Sequence, residues 1–123
     1  MRVLIVPAND GEAELADMLA EGLREEGIST DVAREAAGDG DRLLKAAHTY
    51  DTVIVERDTP ALAADRTRDL LTEAPARVLL IEAPGSTRPP LKADAYLSKP
   101  YTYPELLTHV LALGVAGGHK VGL

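Results

Sequence analysis

The chain has 123 residues, enough for one domain, with 46% hydrophobic and 27% charged residues, so it carries the apolar material to fold and the charge to stay soluble. Thirteen Lys and Arg stand against twenty Asp and Glu, a net charge of −7, which argues against a nucleic-acid or anionic-membrane surface because phosphates are bound by a basic footprint. Cysteine is absent, which excludes disulfides and thiolate metal sites. The longest apolar runs, 3–6 and 78–81, are far short of a membrane span, and with no signal peptide visible the expected setting is the cytoplasm.

Short β-rich runs alternate with longer helical patterns, the signature of a parallel sheet with crossover helices. The first strand, 3–6, is a continuous β-branched run of the kind buried on both faces. A helix is predicted over 10–26, with Leu15, Leu19 and Leu23 as its apolar stripe, Asn9 and Glu12 as a capping box and Gly27 as its stop. The second strand, 28–33, is more polar and reads as an edge. Turn residues over 38–41 open a second helix with Leu43, Leu44 and Ala47 on its inner face.

Thr52–Glu56 forms the third strand, and Pro60 closes the loop behind it. A third helix follows over 62–73, packing through Leu62, Leu70 and Leu71. Arg77–Glu82 is the fourth strand and Ala95–Ser98 the fifth. The last helix, 103–113, has Thr102 and Glu105 as a capping box and Gly114 as its stop. Residues 114–123, GVAGGHKVGL, read as a tail or the start of a linker, leaving 1–113 as the domain. One crossover breaks the rhythm. APGSTRPP over 83–90 holds three prolines and a glycine where a helix is due, and each interior proline costs a helix about 3 kcal/mol. A loop is expected there.

The stretches MRVLIV (1–6), LAEGLREEG (19–27), YDTVIV (50–55) and ADAYLSKPY (93–101) together resemble a response-regulator receiver domain, of the branch that carries winged-helix DNA-binding outputs. The resemblance covers residues 1–113. It implies a flavodoxin-like, doubly wound five-stranded parallel sheet of order 2-1-3-4-5, here with the fourth helix shortened or replaced by a loop. In that family an acid pair after the first strand and an aspartate ending the third bind Mg²⁺. The aspartate takes a phosphoryl group from a histidine kinase, and a Thr or Ser ending the fourth strand and a lysine after the fifth contact its oxygens. Metal and lysine neutralise the transferring charge.

Against that pattern the acid pair falls on Ala8 and Asn9, with Asp10 one place late. The phospho-acceptor position falls on Glu56 and the Thr/Ser position on Glu82. Lys99, the switch aromatic Tyr96 and Pro100, a cis-proline candidate, are retained. Glu56 and Glu82 put two carboxylates before one lysine, so a dianionic phosphoryl would be repelled. The expectation is a pocket of Asp10, Glu82 and Lys99 around Glu56, closed from within by Lys99 bridging Glu56 and Glu82, with phosphotransfer lost. Asp58 lies two residues beyond the strand, in a loop that turns it away. His48, His109 and His119 have no partners at metal spacing.

No catalytic residue, metal or cofactor is expected. The resemblance implies a signalling module independent of phosphorylation, the regulatory part of a bacterial transcription regulator. The connection from Glu82 to Tyr96 is about five residues shorter than the family usually spends, roughly 7–8 Å of helix, so the family's dimer face has lost most of one helix. A homodimer or partner contact through the fifth strand and last helix remains expected, with Tyr103, Leu107 and Leu111 as an apolar strip. DNA would be reached only through an output domain outside this chain. The alternatives are a small-molecule-gated receiver, with its ligand near Tyr96 and the proline-rich loop, and a phosphorylatable receiver using a displaced carboxylate.

Overall fold

Valine, isoleucine and leucine dominate three strands, β1 (Arg2–Val6), β3 (Thr52–Glu56) and β4 (Arg77–Glu82). Such runs bury both faces of a pleated strand, so these three lie at the centre of the sheet. β2 (Ser29–Val32) and β5 (Ala95–Ser98) are shorter and more polar and form its edges. All neighbours pair in parallel, in the order β2-β1-β3-β4-β5. This is the flavodoxin-like sheet expected from the sequence, seen in a computed structural model that describes residues 1–87, 89 and 91–115.

Alternate side chains build two cores. On one face Val3, Ile5, Ile54, Leu79, Ile81 and Leu97 pack against α1 (Asp10–Glu25) and α4 (Tyr103–Val115). On the other Leu4, Val6, Val53, Val55, Val78 and Leu80 pack against α2 (Gly40–Ala47) and α3 (Asp65–Glu73). No helix among the described residues is long and apolar enough to cross a membrane.

The helices depart from the sequence reading in informative ways. α1 faces the core with Ala13, Ala16, Ala20 and Leu23, whereas Leu19 is half-buried and Leu15 is 42% exposed. A four-residue step overshoots a helical turn by roughly 40°, so the leucine row drifts off the buried face. Asn9 Oδ1 accepts the Glu12 amide at 3.1 Å, but the Glu12 side chain does not return to complete the capping box. Gly27 sits just past the helix at φ +84°, where its missing Cβ avoids strain.

The predicted third helix is two pieces, a 3-10 turn at Pro60–Ala63 and α3. Arg68 Nη1 donates to the Leu62 and Ala63 carbonyls at 2.7 and 3.1 Å, satisfying groups that a continuous helix would have bonded itself. Arg68 and Leu71 are buried on α3, while Leu70 faces out. α4 begins with the full capping box, Thr102 N donating to Glu105 Oε1 and Glu105 N to Thr102 Oγ1. It runs through Gly114 to Val115 rather than stopping, and Gly114 lies against the Met1 side chain, where a Cβ would meet the sulfur at 2.8 Å. The predicted tail, 116–123, lies outside the described residues.

The β4–β5 connection contains no helix among its described residues. Gly85 turns it at φ +82°. Leu91 is buried and joins the α2–α3 core, supplying one apolar plug where a helix face would have packed. Asp94 Oδ2 accepts the Val78 amide at 2.7 Å. The Tyr96 hydroxyl accepts from Ala93 N at 2.9 Å and donates to Leu91 O at 3.1 Å.

Candidate functional site

The carboxyl ends of parallel strands gather the chain's loops on one edge, the usual place for a site in this architecture. β3 ends at Glu56, β4 at Glu82 and β5 just before Lys99, whose amide donates to Glu82 O at 2.8 Å. The Lys99–Pro100 peptide is cis. The Lys99 ammonium lies 2.6 Å from Glu56 Oε1 and 2.7 Å from Glu12 Oε1. One lysine therefore joins the end of β3 to the first turn of α1.

Glu82 is not part of that bridge. It pairs with Arg57 at 2.7 Å, because the chain turns after β3 with Arg57 N donating to Ile81 O, which sets the guanidinium beside the end of β4. The expected Glu56–Lys99–Glu82 bridge is thus corrected to Glu56–Lys99–Glu12, with Glu82 neutralised by its own arginine. Asp10 is exposed at the start of α1 and takes no part. Ala8 is buried, and Asn9 caps α1 with its carboxamide. Asp58 accepts from Ser86 Oγ at 2.5 Å, which ties it to the loop after β4.

Burial raises the Glu56 carboxyl above its ordinary range. The hydrogen bond and charge of Lys99 oppose that rise, and the like charge of Glu12 adds to it. For Lys99, burial alone would favour the neutral amine, but hydrogen bonds and charge from Glu12 and Glu56 outweigh it and hold the ammonium above its usual value. Burial likewise raises the Tyr101 hydroxyl. Among the described residues no three His, Cys, Asp or Glu gather to hold a metal ion.

Tyr96 turns its ring outward, 46% exposed, with the hydroxyl fastened to the β4–β5 loop. The strip expected along α4 is only partly present. Leu111 is exposed, but Leu107 packs in part on the core. Tyr103 leans on α1 at Gly22, where a Cβ would meet its ring at 2.8 Å. Glu12 and Arg57 are the residues sequence reasoning missed. Glu12 was assigned to a cap, although its place in the first turn over the carboxyl edge already brings it near Lys99.

No family model matches the chain. Its fold is that of the receiver class. It superposes on the receiver domain of the Francisella response regulator 1452 with a TM-score of 0.68 and 25% identity, covering 91% of this chain and 94% of that one. It also superposes on the inactive form of the regulatory domain of RitR, the repressor of iron transport regulator, with a TM-score of 0.69 and 18% identity, covering 95% and 97%. In sequence it is similar to the transcriptional regulatory protein CutR of Streptomyces coelicolor, 36% identical over 121 residues that take in 93% of this chain and 54% of the relative. CutR of Streptomyces lividans matches to the same extent. The chain thus spans about half the length of these curated relatives. Fold and similarity together support a response-regulator receiver domain.

Proposed function

We propose that the chain is a pseudo-receiver, the regulatory domain of a transcription regulator that works through contacts and without phosphorylation. The observation that carries this reading is the Lys99 ammonium held between Glu12 and Glu56 at 2.7 and 2.6 Å. Phosphoryl transfer needs a free carboxylate acceptor, a divalent cation and a lysine open to the phosphoryl oxygens. Here the carboxylate in the acceptor's place is already paired with the lysine. Mg²⁺ does not fit the residues present, since it asks for several oxygen ligands at short range. Ala8 offers none, the Asn9 carboxamide caps a helix, and Glu82 is engaged by Arg57. Asp58 does not replace Glu56, because Ser86 holds it and Lys99 is occupied elsewhere.

The contact to transcription comes from the CutR relatives, and DNA would be bound by an output domain beyond this chain. The surface left for a symmetric partner is the β5–α4 face, where Tyr96 and Leu111 are each 46% exposed. The reading is tested by incubating the chain with acetyl phosphate and Mg²⁺ and recording its intact mass. No phosphoryl adduct is expected. A stoichiometric adduct would overturn it.

A further inference from the structure

Among the described residues a wide concavity lies between α1 and the segment that leads from β5 into α4, with Pro84 of the β4–β5 connection at its side. It encloses about 830 Å³, within the range of sites that take a small organic molecule. Leu15, Met18 and Leu19 of α1 form one wall, and Pro84, Tyr101 and Tyr103 the other. Met18 is 69% exposed and Leu15 42%. Three large apolar side chains spaced three, four and one apart along a helix edge are costly to leave in water. Gly22 lets Tyr103 lie close against α1. The Tyr103 hydroxyl is buried there with no hydrogen-bond partner, an unpaired polar atom in the groove wall.

The groove has one polar end, made by Glu12 and Lys99. Lys99 is already shared between two carboxylates, so charge at this end is two negatives against one positive. Of the two carboxylates Glu12 is the one that lines the groove, its side chain 28% exposed against 11% for Glu56. The two tyrosine rings in the wall add faces that attract a cation. We propose that this groove is a binding site for a small aromatic amine, its ring system lying between α1 and Tyr101/Tyr103 and its ammonium on Glu12. Glu12 also holds Lys99, so an amine on Glu12 competes with Lys99 for the same carboxylate and connects the groove to the β5–α4 segment. The site stands independently of whether the pocket takes a phosphoryl group.

The test is a ¹H–¹⁵N NMR titration of the chain with naphthylmethylamine, and in parallel with naphthoate, which has the same ring and the opposite charge. Saturable shifts are expected for Leu15, Leu19, Gly22, Tyr101 and Tyr103 with the amine, with naphthoate at least tenfold weaker. Glu12→Gln should weaken the amine about tenfold and should not weaken naphthoate. Met18→Lys, at an exposed position that leaves the fold intact, should weaken both ring systems. Non-saturating shifts with the amine would overturn the proposal, as would equal affinity for the two charges. Shifts of the same residues that depend on protein concentration without any amine would assign the groove to a second copy of the chain and equally overturn it.

Discussion

Among the described residues Lys99 is the one cation paired with Glu56. Its neighbours are Glu12 from α1, Glu56 from β3 and Tyr101 beyond β5. Lys99→Met would leave a largely buried carboxylate beside a second one, at a cost of about 1–3 kcal/mol at neutral pH. The sign of the pH dependence follows from the direction of the shift. The Glu56 carboxyl is raised by burial in the folded chain, and losing Lys99 raises it further. Such a group contributes fully below its unfolded value and loses that contribution as pH rises through its folded value. The deficit of Lys99→Met, read from urea unfolding, should therefore shrink from pH 7 towards pH 4. A deficit that grows on acidification would mean that Glu56 is not the group left unpaired. Conversely, Glu12→Gln removes a like charge, so the Glu56 carboxyl should titrate lower, as followed by ¹³C NMR of that carboxyl. No downward shift would separate Glu12 from the triad.

At the scale of the elements, the β4–β5 connection does a helix's packing with three ties: buried Leu91, Asp94 on the Val78 amide, and the Tyr96 hydroxyl on Ala93 and Leu91. Tyr96→Phe removes two hydrogen bonds and should cost about 0.5–1.5 kcal/mol, with amide exchange accelerated at Ala93. Unchanged exchange there would show that the ring, and not the hydroxyl, holds the loop. The strands were legible because β-branched runs bounded by turn residues have little else to become, and the prolines over 83–90 announced the missing helix. The turn at 60–63 was not legible, because its separation from α3 depends on Arg68, whose guanidinium reaches back to Leu62 and Ala63 only in three dimensions. The inner face of α1 was misread because leucines signal burial by size, whereas close helix–sheet approach selected Ala13, Ala16 and Ala20. Of the site, Glu56 and Lys99 followed from the resemblance to a receiver domain. Which acid the lysine chose did not, since Arg57 captures Glu82 through a turn geometry that residue spacing does not encode.

For the molecule as a whole, a receiver sheet is preserved while Lys99 and Arg57 pair with the carboxylates at its carboxyl edge. If the β5–α4 face carries the signal, a concentration-dependent dimer should be seen by sedimentation velocity, weakened by Leu111→Arg, and addition of Mg²⁺ and a phosphoryl donor should leave it unchanged. A wild-type chain that stays monomeric throughout would remove that face from the account. The most direct test of the closed pocket is a ¹H–¹⁵N NMR titration with Mg²⁺ and then with beryllofluoride, a phosphoryl mimic. The account predicts no saturable shift at Glu12, Glu56, Glu82, Tyr96 or Lys99 in either step. Saturable shifts at these amides in both steps would contradict it and make the chain a working receiver with unusual residues.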